Sequence, residues 1–146
     1  MNAVDAVQAY QSAVTLLTDA GRITQAAKLC KECAELYENE EVTNSEEGEG
    51  KSSVVLAIES YEQAGELFAM EDAKSQASNC QAKVAELCSA ALDPPDLLRA
   101  AKLYDELGRK CLDSSLLKYN AKDYFLQAIL CQLDNSDAIG AEQALS

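Results

Sequence analysis

The sequence predicts an all-α fold of antiparallel helix pairs stacked in chain order, and three observations predict it. Apolar residues recur at helical spacing along nearly the whole chain, which is the pattern of helices with one buried face. Composition agrees: the apolar residues lean towards Ala and Leu, with two prolines and six glycines, and Ala and Leu lose little on entering a helix. Finally, the pairs are copies of one unit. Steps of 51 and 43 residues lay Tyr10 on Tyr61 and Tyr104, and carry Ala6 onto Ala57 and Ala100. In the second helices the same steps align Ala34, Ala85 and Ala128, then Leu36, Leu87 and Leu130. Self-similarity across paired helices is the mark of a tetratricopeptide-like solenoid, hence a right-handed TPR-like α-α superhelix.

Each element follows from its stripe. Ala6, Val7, Tyr10, Ala13, Val14 and Leu17 make the first helix, and Gly21 breaks it, as glycine commonly does just past a helix end. Ile23, Ala26, Ala27, Cys30, Cys33, Ala34 and Tyr37 make its partner. The second pair begins after Ser52 and Ser53 with Ala57, Ile58, Tyr61, Ala64 and Phe68. Its partner carries Ala77, Cys80, Val84 and Cys88, with Asp72 placed to cap its N-terminus. Asp93-Pro94-Pro95 stops that helix and starts the next, because Pro suits a first turn. Leu97, Ala101, Tyr104, Leu107 and Cys111 form the third pair with Leu117, Ala121, Tyr124, Ala128 and Cys131. The chain thus reads as a single helical-repeat domain over 1–146, with pairs at approximately 3–41, 53–91 and 95–134 and a partial helix over 136–146. A Glu-, Gly- and Ser-rich loop over 38–52 lengthens the first unit. It reads as a solvated surface insertion, with an acidic docking peptide as the functional alternative.

The repeated Ala positions let helices approach closely, and the repeated Tyr fills the gap beside them. With two Phe and no Trp, small and aliphatic side chains must fill the core. A solenoid exposes apolar faces at its ends unless something covers them. Here the chain enters on an apolar stripe and leaves with a lone helix, so an interior piece of a longer protein, or ends covered by a partner, is expected.

Composition also excludes chemistry. The formal charge is −13 and there is no histidine, which removes His-based catalysis, His-ligated metal and a histidine pH switch. Nucleic-acid binding through a basic face is excluded too, because phosphate neutralisation needs clustered Lys and Arg. No apolar run approaches a membrane span and no signal peptide opens the chain, so a cytoplasmic location is expected.

Cys30 and Cys33 form a CxxC, which raises redox or zinc chemistry. Zinc would need a second pair at similar spacing, and Cys80, Cys88, Cys111 and Cys131 do not supply one. A thioredoxin-like site would need a preceding strand. All six cysteines fall on helical apolar stripes, where free Cys behaves as a small hydrophobe. Gly48-Glu49-Gly50-Lys51-Ser52 resembles a phosphate loop faintly, but its spacing is wrong and no strand precedes it. No enzyme, cofactor or metal is expected.

Against the acidic background one basic pattern stands out. The repeat steps carry Lys28 onto Asn79 and then Lys122, one residue past Ala27, Ser78 and Ala121. Arg22 lies about two turns before Lys28, Lys83 one turn after Asn79, and Lys118 one turn before Lys122. Such a row would steer and register an acidic, rod-like partner. Ordinary solubilising lysines would look the same.

The run Asp113-Ser-Ser-Leu-Leu-Lys-Tyr-Asn-Ala-Lys-Asp-Tyr-Phe-Leu-Gln-Ala-Ile-Leu-Cys131 closely resembles a segment of the alpha-type soluble NSF attachment protein (alpha-SNAP) family. Ala13 to Arg22, Ala26-Ala27-Lys28, Ala34 to Glu38, Tyr61 to Ala64 and Lys83-Val84-Ala85 agree in register. The resemblance covers the chain apart from the acidic loop, and corresponds to the central portion of the family's members. It implies an adaptor, not an enzyme: one that coats the assembled four-helix SNARE bundle (syntaxin-type and related chains) and recruits the NSF-type AAA+ ATPase for disassembly. It also implies peripheral membrane association when SNAREs are bound. The SNARE-facing role carries onto Arg22, Lys28, Lys83, Lys118 and Lys122, while Asn79 departs from the lysine common in the family. NSF engagement would reside in regions missing here. The alternative reading is a generic TPR-like module that captures peptide tails.

Overall fold

In the structure, a computed structural model, the described backbone covers residues 3–40, 53–92, 94–112 and 118–145, with side chains described over 8–39, 53–92, 94–112 and 120–137. Six helices follow in order: α1 (Ala3–Asp19), α2 (Ile23–Glu40), α3 (Ser53–Met70), α4 (Lys74–Ala90), α5 (Leu97–Leu112) and α6 (Lys118–Leu145). Among the described residues there is no strand, and the fold class is all-α and TPR-like, as the sequence predicts. The acidic loop lies outside the described residues from 41 to 52, but Glu38–Glu40 belong to α2. Asp93 and Leu117 likewise lie outside them.

The chain divides into two compact units, Met1–Lys83 and Val84–Ser146, with the division falling inside α4. In the first unit α1 packs on α2 and α2 on α3. The start of α4 packs on α3, where a Cβ on Gly65 would lie 3.4 Å from the Cβ of Cys80. In the second unit α5 packs on α6.

The turns show the repeat at atomic detail. Gly21 has φ +79° and ends α1. Its neighbour Arg22 donates its N–H to the Leu17 carbonyl at 2.8 Å, and Gly21 donates to Thr18 at 3.1 Å. One repeat later Asp72 has φ 56°, with Ala73 donating to Phe68 at 2.9 Å and Asp72 to Ala69 at 3.1 Å. Both turns close with a left-handed residue that returns two N–H groups to the last helical carbonyls. Asp72 is therefore not the N-cap that the sequence suggests. That position belongs to Ala73, whose carbonyl accepts the Ala77 N–H at 3.0 Å, as the Arg22 carbonyl accepts Ala26 at 3.1 Å. Asp tolerates the left-handed region better than most residues, which is why it can replace glycine here.

The prolines also lie one step earlier than expected. Pro94 and Pro95 precede α5, and Asp96 caps it: its Oδ1 accepts the Arg99 N–H at 3.3 Å and its carbonyl accepts Ala100 at 3.1 Å. The Asp96 N–H in turn donates to the Cys88 carbonyl at 2.9 Å. At the other end, α6 runs on through Ser136, where the sequence reading opens a separate helix. No Gly or Pro lies between Ala121 and Ala138, so no residue there ends the helix.

The core follows the stripes. Ala26, Ala27, Cys30, Cys33, Ala34 and Tyr37 are buried on α2, and Ala57, Ile58, Tyr61, Ala64, Leu67 and Phe68 on α3. Tyr61 and Phe68 are the largest fully buried side chains, each contributing about 1.5–3 kcal/mol by leaving water. The alanine row of the second helices, Ala34, Ala85 and Ala128, is buried throughout. In the tyrosine row, Tyr61 and Tyr104 are buried and Tyr10 half-buried.

Candidate protein-binding surface

The exposed cations occupy the helix faces that the core leaves over. On α2, Lys28 follows the fully buried Ala27 and is exposed. On α4, Asn79 is exposed beside half-buried Ser78, and on α6 Lys122 is exposed beside buried Ala121. The repeat-equivalent positions thus share one environment: a small residue inward, then a polar one outward. Arg22 is exposed as well, but it stands before α2 at its N-cap position rather than on the helix. Arg22, Lys28, Asn79 and Lys83 belong to the first unit, and Lys118 and Lys122 to the second. Lys118 opens α6, and its side chain lies outside the described residues.

Lys83 has a different setting. Its Nζ donates to Glu38 Oε1 at 3.1 Å, and the buried Tyr61 hydroxyl donates to Glu38 Oε2 at 2.8 Å. One carboxylate therefore ties α2 to α3 and α4. Lys83 remains 41% exposed and Glu38 27% exposed, so the Tyr61 bond carries more of this contact than the screened ion pair. Burial, then the hydrogen bond to Glu38, holds the Tyr61 phenol well above its usual range. The cluster is hidden in the sequence, because Glu38 stands where the acidic loop reads as starting, although it belongs to α2.

The repeat offers a signal that would have found it. Steps of 51 and 43 residues carry Glu38 onto Ser89 and Tyr61 onto Tyr104; burial raises the Tyr104 phenol, and Ser89 acts on it in the opposite sense. Tyr61 ties α3 to the helix before it, and Tyr104 faces Ser89 at the equivalent position of α4. Tyr104 also stacks on Tyr124, with ring centroids 6.3 Å apart and planes 25° apart.

The CxxC pair has the environment of a core. All six cysteines are free and buried. Burial pushes the Cys30 thiol up to about 11, with Cys33 and Cys80 adding to the effect, and pushes Cys88 up to about 11 as well. The other four thiols are also raised, chiefly by burial. A thiol held protonated and out of solvent is a poor nucleophile and a poor metal ligand. Among the described residues, no group of three or more Cys, Asp or Glu is placed to hold a metal ion, and no helix is long and apolar enough to cross a membrane.

The family model "Soluble NSF attachment protein, SNAP" matches residues 1–146. The chain belongs to the soluble NSF attachment protein family. It is 35% identical over 144 residues to the alpha-soluble NSF attachment protein of Vitis vinifera, covering 99% of this chain and 45% of that protein. With the mouse protein of the same name it shares 37% over 127 residues, which is 87% of this chain and 39% of the relative. With the vesicular-fusion protein SEC17 of Komagataella phaffii it shares 33% over 141 residues, or 97% and 44%. This SNAP-family chain therefore spans less than half the length of the curated relatives it matches.

Proposed function

We propose that this chain is the SNARE-binding portion of an NSF attachment protein, a cytoplasmic adaptor with no catalysis of its own. It forms one helical-repeat domain whose outer row grips the assembled SNARE four-helix bundle. Arg22, Lys28, Asn79, Lys83, Lys118 and Lys122 make up that face. The ATPase docks on regions outside this chain, and membrane contact is peripheral, through the bound SNAREs.

The observation that carries the reading is the exposure of Lys28, Asn79 and Lys122 at repeat-equivalent positions, in a chain whose net charge is −13. Lysines kept at matching sites on an acidic protein suit an acidic, elongated partner better than they suit solubility. Asn79 makes the middle of the row neutral, and Lys83 gives part of its charge to Glu38. Contact is therefore strongest at Lys28 and Lys122. Association with the assembled bundle, followed by fluorescence anisotropy, tests this. Lys28→Glu with Lys122→Glu should weaken binding at least about tenfold, and added salt should weaken the parent chain. Binding indifferent to both changes would remove the mechanism. Isolated peptide tails binding as well as the bundle would favour the peptide-capturing alternative.

A further inference from the structure

The Glu38 carboxylate is held at both oxygens. Oε2 accepts the Tyr61 hydroxyl at 2.8 Å, and Oε1 accepts the Lys83 ammonium at 3.1 Å. Tyr61 is 1% exposed, so moving the carboxylate away would strand a buried donor, a cost larger than the bond's own net contribution. The hydroxyl also keeps its proton, because burial and the adjacent carboxylate hold the phenol well above its usual range. The carboxylate is thus fixed from inside the fold. Any opening of the contact falls to the Lys83 side.

The charge on Glu38 exceeds what the tyrosine requires. Steps of 51 and 43 residues carry Glu38 onto Ser89 and Tyr61 onto Tyr104, and there a neutral serine faces the tyrosine. The same steps carry Glu32 onto Lys83 and Lys83 onto Leu126, so the cation is no part of the repeat either. An ion pair therefore stands at one point of a row whose lysines Lys28 and Lys122 are exposed. An ammonium 3.1 Å from a carboxylate presents a nearly neutral pair to a distant acidic surface, and adds little to its attraction.

We infer that Glu38 is an internal counter-ion that restrains Lys83, and so sets how strongly the middle of the basic row engages an acidic partner. The inference rests on the SNARE reading and names the residue that tunes that face. A partner carboxylate reaching Lys83 must displace one that is already in place and anchored by Tyr61. Asn79 is neutral beside it, so the middle of the row stays weak for two separate reasons.

Glu38→Gln isolates the charge. Its amide oxygen still accepts the Tyr61 hydroxyl, and circular dichroism with a urea midpoint checks that the fold is kept. In fluorescence anisotropy at low salt, Glu38→Gln should tighten the 146-residue chain on the assembled bundle by about two- to fivefold. Glu71→Gln alters an exposed residue in the turn after α3. It changes the net charge equally and should leave binding within about 1.5-fold. Lys83→Met alone should weaken binding less than about twofold, because its charge is already neutralised. In the Glu38→Gln background the same change should remove most of the gain. Lys28→Glu with Lys122→Glu reports on the SNARE reading in the same assay. If that double variant weakens binding while Glu38→Gln gains no more than Glu71→Gln, the restraint is refuted and the reading stands. A gain undiminished by Lys83→Met would also overturn the restraint, since the carboxylate would then act by plain repulsion. If neither the double variant nor Glu38→Gln moves binding, reading and inference fall together.

Discussion

Two helical glycines should respond to alanine in opposite directions. Both lie inside α-helices, where Gly→Ala gains about 1 kcal/mol from backbone entropy alone. At Gly65 an added methyl would meet only Cys80 Cβ at 3.4 Å and the Ala77 carbonyl at 3.7 Å, ordinary contact distances. Gly65→Ala should therefore stabilise by up to about 1 kcal/mol. At Gly108 the methyl would lie 2.7 Å from Cε1 of Phe125 and 2.9 Å from Cδ1 and Cζ. Carbon atoms prefer about 3.5–4.0 Å, so the ring must move as a rigid plate. Overpacking of this kind costs about 1–3 kcal/mol. Subtracting the propensity gain leaves Gly108→Ala destabilising by about 1 kcal/mol, with a gap of about 2 kcal/mol between the two substitutions. Urea unfolding followed by circular dichroism would measure both. The cause is isolated by repeating Gly108→Ala beside Phe125→Ala: with the ring gone, the methyl should become neutral or stabilising. Equal gains at both glycines, or no coupling to Phe125, would refute the argument.

Two further outcomes concern the buried polar groups. Glu38→Ala should cost about 1–3 kcal/mol because it strands the buried Tyr61 hydroxyl, whereas Tyr61→Phe should cost about 1 kcal/mol. Lys83→Met should cost under about 1 kcal/mol, since that pair is largely screened; any other ranking in urea titrations would count against Glu38 as the tie between helices. The second concerns pH. The Cys thiols ionise at an ordinary value of 9.0 when unfolded but are raised in the fold, Cys30 and Cys88 to about 11. The unfolded chain thus loses protons first as pH climbs. Stability is fully present below about pH 9 and falls between there and about 11. A urea midpoint, measured with reductant present, that stayed level across that window would contradict it.

The sequence disclosed the repeat, because Ala and Tyr rows at fixed steps record which positions must be small and which must fill a gap. It also disclosed the exposed polar positions Lys28, Asn79 and Lys122, each one residue past a small residue on the stripe. What it concealed was local chemistry shared between neighbouring residues. Asp72 and Ala73 divide the work of ending one helix and starting the next, and a capping rule applied to Asp72 alone assigns it to the wrong helix. Asp96 is concealed for a similar reason: the two prolines before it read as the helix start, although the cap is the aspartate. Glu38 was hidden by composition, since an acidic stretch looks solvated throughout even when its first residues complete a helix.

The buried cysteines have an experimental consequence. Cys30 and Cys33 lie on α2, Cys80 and Cys88 on α4, Cys111 on α5 and Cys131 on α6. A thiol that is sealed and protonated reacts with an alkylating reagent only during the brief moments when its surroundings open. Four of the six helices therefore carry built-in clocks, and mass spectrometry of partly alkylated protein would time the breathing of each one without any introduced label.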